Sequence, residues 1–506
     1  MDQRVEAKPK KRQFLPPEFV RAMLAGHSAL GLAFAALIFI VCLSGTVCVF
    51  INELQRWEQP DAPVVTGALS PDVVGAAVQA GYAQAVAEKA AHDMFVMGPG
   101  VSARLYVNYH DHETGVDGSW LADADGRLVT RVKAPFSDFV GGLHMNLHLP
   151  RTWGRMLVGL IGVALLSSLI SGLLSHPRIF KDAFALRRGG SKRLQEADLH
   201  NRLGVWGLPF HVVVSLSGAL LGLSTLIVGV LAMAAYDGDS DAAFSVILGP
   251  RATAEEATAP VPDVAAMMRQ VQAAKPAAQF TSVQIDHVGR AGQVVHLGMR
   301  TPGHVALGNT YYFKGDGTPL GDGGLETGGV GQQILGVLQP LHFGWFGGYP
   351  IKIAYGVLGL ALTIITHTGV TIWLARRRDK GRPAPGWEKV WAAVGWGQPV
   401  AIAASAIAAL YVNASFLLGI YLAVVFAALL LAAVLPNAGV LERVLRLLGS
   451  LAMIGAVGAH VATWGIGAVD PMAWIVNGVI VAAAICLAYP LARAVRGSAL
   501  VSAADS

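Results

Sequence analysis

Apolar residues run through this chain in long blocks, not in the short alternations of a soluble core. A helix that crosses a bilayer needs about 20 predominantly apolar residues, and the stretches 28–51, 153–175, 203–235 and 351–374 meet that length. Four further candidates follow at 397–413, 415–435, 448–468 and 472–493. Short turns at Val412-Asn413, Leu435-Pro436-Asn437 and Val469-Asp470-Pro471 separate these, so antiparallel neighbours without a further extramembrane domain are expected. Two long polar regions, 52–152 and 236–348, interrupt the early blocks, and they read alike. Each has a helix candidate (71–91; 261–274), then strand-like alternation (SARLYVNYH; QFTSVQIDHV), then an Asp-Gly turn in DADGRLV at 123–129 or FKGDGTPLG at 313–321. Two small α+β domains, related as a distant internal repeat, are the expectation.

Charge orients these blocks. There are 6 Lys/Arg in residues 1–21, 7 in 177–202 and 6 in 375–389, against 7 and 6 in the far longer regions 52–152 and 236–348. This is the positive-inside pattern. It puts both termini in the cytoplasm and the two polar regions in the periplasm of a Gram-negative cell. The net charge of +5 is therefore spent on topology, and a nucleic-acid partner is not expected. With 54% hydrophobic and 14% charged residues and a mean hydropathy of +0.51, the 506-residue chain must be solvated by lipid. The apolar run behind the basic tail is too long for a signal peptide, so it reads as a retained first span.

The expected architecture is a mostly α membrane protein: a four-helix transmembrane core, two periplasmic α+β domains and a C-terminal extension of four transmembrane helices. Its divisions are 1–51 (tail and first span), 52–152 (first periplasmic domain), 153–235 (second span, cytoplasmic loop, third span), 236–348 (second periplasmic domain), 349–376 (fourth span) and 377–506 (extension).

Candidate chemistry rests on histidine. Of 15, eight lie in or beside the first four spans: His27, His144, His148, His176, His200, His211, His342 and His367. Ionisable residues at membrane depth are costly and usually functional, and imidazole is the usual protein ligand of a b-type haem iron. Counted along straight helices from the outer end, His27, His176 and His211 lie roughly 35 Å in, near the inner face. His367 is shallower and His200 precedes the third span. His144, His148 and His342 lie just outside the outer ends of spans two and four. The result is two layers, one at each face, and each could supply two imidazoles to one haem. His148 and His176 could equally be interfacial. His92, His110, His112, His287, His296 and His304 fall in the outer regions and read as surface residues, while His460 has no evident role. Cys42, Cys48 and Cys486 make no CxxC and no c-type attachment site, so a haem would be held non-covalently. GDGGLETGGVGQQ at 321–333 resembles a phosphate loop only superficially and reads as a lid or connector. No nicotinamide or flavin motif is present, so electrons would come from a separate donor.

Four segments carry a family likeness. GHSALGLAFAALIFIVCLSGTVCVFINEL, LHMNLHLPRTWGRMLVGLIG, RLQEADLHNRLGVWGLPFHVVVSLSGALLGL and LHFGWFGGYPIKIAYGVLGLALTIITHTGVTIWLARRR resemble, in order, the four spans of the PepSY-associated transmembrane family of iron-regulated membrane proteins. The resemblance covers about residues 20–380. It implies PepSY-type outer domains and a di-haem core, with His27, His144, His200 and His342 as family histidines; the depth argument adds His211 and His367. The siderophore-reductase branch of the family suggests the activity. Two haems b would pass electrons from a cytoplasmic or quinol donor to a ferric siderophore or other Fe(III) chelate in the periplasm. His144 (or His148) with His342 would hold the outer haem, and two of His27, His200, His211 and His367 the inner one. The alternative is a non-enzymatic membrane protein whose PepSY domains bind a peptide or protease, or whose bundle carries an iron chelate. A Soret band in the purified protein separates the two. The C-terminal extension is a departure from a minimal family member.

Overall fold

The computed structural model describes residues 15–100, 102–176, 179–184, 192–253, 255, 257–467 and 470–504. The basic tail 1–14, parts of the basic loop (177–178 and 185–191) and Val469 of the last predicted turn lie outside the described residues.

The first half begins with a bent helix. α1 (Pro17–Ala33) meets α2 (Ala35–Cys48) at 70°, with Phe34 at the corner. α3 (Ile51–Glu58) follows, and then Ser70, whose hydroxyl caps α4 (Pro71–Ala87) by accepting the Val73 N–H. A meander of β1 (Asp93–Met97), β2 (Leu105–His110), β3 (Asp117–Ala122) and β4 (Leu128–Arg131) leads to α5 (Pro135–Asn146). This helix stops where Leu147 turns left-handed, and α6 (Arg151–Ser175) then crosses the membrane.

The second half repeats the plan. After the short α7 (Ile179–Ala183), α8 (Lys192–Trp206) meets α9 (Leu208–Gly222) at a 71° bend with Gly207 at the corner. α10 (Ser224–Ala235) follows a further break at Leu223, so the apolar run 203–235 is three helical pieces and not one straight span. α11 (Ser240–Leu248) leads towards α12 (Val264–Ala274), capped by Asp263, and then β5 (Gln279–Asp286), β6 (Val294–Arg300), β7 (Asn309–Lys314) and β8 (Pro319–Asp322). The Gly-rich segment links β8 to α13 (Val330–Phe343), which ends at left-handed Gly344 before α14 (Gly348–Asp379) crosses back.

The two polar regions, 52–152 and 236–348, share one antiparallel sheet of order β4-β3-β2-β1-β5-β6-β7-β8. β1 and β5 each open a four-stranded meander and would each be a bare edge, a liability in a folded sheet. They cover one another instead, with Met94 opposite Ile285 and Met97 opposite Ser282. α4 and α12 lie on a single face of the joined sheet. Val74, Val78, Met267 and Met268 pack there on Val96, Val107, Val283, Ile285 and Leu297, all buried.

Among the described residues six helices are long and apolar enough to span, and the two bent pairs raise the number to eight if each pair crosses once. Four of the six belong to the extension: α15 (Pro385–Ala409), α16 (Leu417–Val434), α17 (Ala438–Trp464) and α18 (Pro471–Ala504). α15 and α17 begin about ten residues before the apolar runs that announce them, because their first turns are polar (Glu388 and Lys389; Glu442 and Arg443). Asn413, Asn437 and Asp470 cap the helical turns that follow them, accepting from Ser415, Val440 and Met472 N–H.

The extension is bolted to the sheet side of the first half. Asp470 accepts two hydrogen bonds from Arg56, at 2.7 and 2.6 Å, and faces Arg104 at 3.6 Å. The His460 ring stacks on Trp57 at 4.7 Å, and the Trp57 indole donates to Asn477. A buried Lys352–Glu53 pair at 2.6 Å ties α14 to α3. Removing one partner of such a pair leaves a buried charge and costs roughly 3–5 kcal/mol.

Glu58, at the end of α3, accepts the Phe136 and Ser137 N–H groups and the Ser137 hydroxyl, and so fixes the start of α5. Burial nevertheless pushes its carboxyl from 4.5 up to about 7. Folding therefore takes up a proton at Glu58: the stabilisation is complete below the unfolded value of 4.5 and is lost as pH rises through about 7. We expect the thermal midpoint of the detergent-solubilised protein to fall across that window, and Glu58→Gln to flatten the fall. An unchanged pH slope in the variant would show that Glu58 does not titrate there.

Candidate functional site

Four imidazoles meet in two pairs. On the side that carries the sheet, His144 of α5 and His342 of α13 lie with ring centres 6.1 Å apart and planes 21° from parallel. Towards the other side, His27 of α1 and His200 of α8 lie 6.3 Å apart with planes at 77°. One ring of each pair comes from each half of the chain.

Each ring is seated in the same way on a spanning helix of its own half. His144 Nδ1–H donates to the Val41 carbonyl at 2.9 Å, and His27 Nδ1–H to the Ser168 carbonyl at 2.8 Å. His200 Nδ1–H donates to the Ile365 carbonyl at 3.0 Å. His342 Nδ1 lies 3.0 Å from the Ser217 hydroxyl, beside the Val214 carbonyl. These tautomers follow from the acceptors available. In every case the acceptor helix carries a Ser/Thr-Gly pair three residues after the carbonyl named: Ser44-Gly45, Ser171-Gly172, Ser217-Gly218 and Thr368-Gly369.

Both members of the pair have a job. The hydroxyl turns back onto its own helix, Ser44 to Ile40, Ser171 to Ser167, Ser217 to Val213 and Thr368 to Ile364, at 2.6–2.8 Å. The missing side chain of the glycine makes room for the ring. A methyl group on Gly45 would stand 2.6 Å from His144 Cε1, on Gly218 2.9 Å from His342 Cε1, and on Gly172 3.0 Å from His27 Cε1. Gly369 is the roomiest, at 3.4 Å from His200 Cε1. With Nδ1 engaged, Nε2 is the ring atom left for another ligand, an arrangement common where imidazole binds a metal.

The spacing would suit a shared metal ion. Two imidazoles that hold one ion, each at about 2 Å with about 1 Å more to the ring centre, would stand roughly 6 Å apart. Both pairs stand at that separation. Beside His144 and His342 lies a cavity of about 370 Å³, walled by Ile38, Ile161, Phe210 and Leu362 with Arg155 as its cation. An apolar slot with few polar groups suits a flat, largely hydrophobic cofactor.

The remaining sequence candidates are placed differently. His211 is fully buried, with Phe210 as its aromatic neighbour and Gly207 against its ring. The bend at Gly207 sets its helix apart from the arm that carries His200, so the straight-helix depth argument does not bring the two together. His367 faces the extension, within 5.6–6.0 Å of Phe39, Trp391 and Trp396, and its ring rests on Gly395. His148 stacks on Phe139 at 4.9 Å and bonds the Phe139 carbonyl through Nε2, so it does not share the sheet-side pair. His460 is taken up by Trp57 and Asn477. The histidine list did not reveal the seats; the Ser/Thr-Gly pair, present in all four spans, is the signal that marks them.

A membrane bundle with paired imidazoles at both ends and an antiparallel sheet on one side is the architecture this chain defines. Residues 24–376 match the PepSY-associated TM region, and the chain belongs to that family. It is also similar to an uncharacterised protein of Pseudomonas aeruginosa, 31% identical over 254 residues, which is 48% of this chain and 64% of that protein. The chain thus covers less than two thirds of that relative's length.

The glycine contacts set an order of sensitivity. In a structure of Gly45→Ala we expect the His144 ring to be driven off the Val41 carbonyl, with a destabilisation of about 1–3 kcal/mol from overpacking. Gly369→Ala should leave His200 within hydrogen-bond distance of Ile365. A His144 ring unmoved by the Gly45 methyl would refute this account of the seat.

Proposed function

We propose that the chain is a di-haem b-type oxidoreductase of the bacterial inner membrane that delivers electrons to a periplasmic Fe(III) chelate, a ferric siderophore being the foremost candidate. The observation that carries this reading is the 6.1 and 6.3 Å spacing of the His144–His342 and His27–His200 rings, each oriented through Nδ1, which would let each pair hold one haem iron. A haem between two such imidazoles supplies reversible one-electron transfer.

The protein's own share is tuning and placement. Donation of Nδ1–H to a carbonyl fixes ring orientation and makes Nε2 a stronger donor, which favours the more highly charged state of a bound metal. Arg155 offers a guanidinium to carboxylate groups at the edge of the sheet-side cavity. The apolar walls exclude water and so would reduce the solvent reorganisation that accompanies electron transfer. His27 and His200 face the donor side, taken from the charge asymmetry to be cytoplasmic, where a quinol or a soluble reductant would supply electrons. On the opposite side, the sheet would present the acceptor chelate. Hard oxygen ligands favour Fe(III), so reduction loosens their hold on the metal. The acceptor class rests on the family resemblance.

His342→Ala should lose about half the haem, read by pyridine haemochrome and the Soret band, and His27→Ala the other half. His211→Ala and His367→Ala should keep both haems if they fold. Full haem content in His342→Ala would discard the sheet-side pairing. Anaerobically reduced protein should be reoxidised on mixing with ferric siderophores; failure with every chelate would remove the substrate while leaving the cytochrome reading in place.

A further inference from the structure

A second histidine cluster lies in the sheet, apart from the paired imidazoles. His92 leads into β1, Asp93 opens it, His110 closes β2, His112 lies just beyond, Asp117 opens β3 and His287 follows β5. Four strands therefore end or begin at one place, at the seam where the two halves of the sheet join. The contacts are close. Asp93 receives His92 Nδ1 at 3.1 Å on one oxygen and His112 Nε2 at 2.8 Å on the other. The ring centres of His92 and His287 are 4.5 Å apart, of His92 and His112 5.3 Å, and of His110 and His112 4.3 Å. His110 Nδ1 is in turn held by Asp117.

Hydrophobic packing does not account for this gathering, because the side chains are partly solvated: His112 is 60% exposed, His110 41%, and His92 and Asp93 27% each. Hydrogen bonding explains each histidine–aspartate pair but not why four imidazoles converge. A cation held by them would reward their proximity. One ligand atom from each of His92, Asp93 and His112 already lies within 4.8 Å of the others. A metal at about 2 Å from each donor needs only modest rotation of the exposed His112 ring. His287 is set facing the cluster by its own N–H, which donates to Asp93 at 3.1 Å, and by Val288 N–H, which donates to the His92 carbonyl.

We propose that this cluster is a binding site for a divalent transition cation, copper(II) or zinc(II), with His92, Asp93 and His112 as ligands and His287 as the fourth. Imidazole with a single carboxylate selects these ions over magnesium or calcium, which prefer all-oxygen shells, and the Irving–Williams order places copper tightest. His92, Asp93 and His112 come from one repeat and His287 from the other, so the metal would also clamp the β1–β5 seam.

The site is independent of the haem proposal, and its test can be read whether or not haem is present. Untagged full-length protein in detergent, stripped with a chelator and dialysed, is titrated with zinc(II) by calorimetry and with copper(II) by electron paramagnetic resonance. We expect one saturable equivalent, a thermal midpoint raised by zinc, and nitrogen hyperfine structure from the imidazoles on copper. His112→Ala, a change at an exposed side chain that threatens no core, should weaken binding at least tenfold, as should His92→Ala; His304→Ala should bind like the parent. Absence of a saturable equivalent, or binding unchanged in both His112→Ala and His92→Ala, would overturn the proposal.

Discussion

The arrangement depends on one contact made four times: an imidazole Nδ1–H aimed at a helix oxygen, with the ring resting where a glycine leaves no side chain. A single such hydrogen bond contributes only about 1 kcal/mol net, yet its effect on geometry is larger than its energy. It fixes ring orientation and tautomer, and so decides which nitrogen remains free. Beside that oxygen, the Ser or Thr three residues on folds its own hydroxyl back onto the previous turn. Ser44-Gly45, Ser171-Gly172, Ser217-Gly218 and Thr368-Gly369 are thus receptor sites written into the spanning helices.

These seats expose the symmetry of the chain. His27 and His144 dock reciprocally on α6 and α2, and His200 and His342 dock reciprocally on α14 and α9. Each half is held together by its own two contacts, and the halves then meet ring to ring at both ends of the bundle. The sheet obeys the same rule, since each half contributes a helix and a four-stranded meander and the first strands pair across the seam. Neither half alone would complete a ring pair or cover its leading strand.

Much of this was legible in the sequence. The apolar blocks marked the six long spanning helices and the two bent pairs, the two similar polar regions marked the repeat, and His144 with His342 was expected to meet. Depth counting was less successful, because it treats each apolar run as a straight rod. No proline or glycine marks the corner at Phe34, so hydropathy alone cannot see it; Gly207 with Pro209 does mark the second corner. Pairing within the inner layer was therefore left open among four histidines, and two of them turned out to face Phe210 and the aromatic residues at the extension. The sheet cluster was invisible for a different reason. His92, His112 and His287 are far apart along the chain, and only antiparallel pairing across the seam gathers them. The extension likewise showed its spans but not its attachment, which rests on single polar side chains such as Asp470 and Asn477.

The ring angles offer the most direct test of the central claim. Nearly parallel imidazole planes split the iron orbitals of π symmetry, whereas nearly perpendicular planes leave them almost degenerate. Low-temperature electron paramagnetic resonance of the oxidised protein should therefore contain two low-spin ferric signals. One should be rhombic, from the 21° pair, and one strongly anisotropic, from the 77° pair. Protein purified with its haem intact that gave only high-spin signals, or a single low-spin species at one haem per chain, would contradict the account.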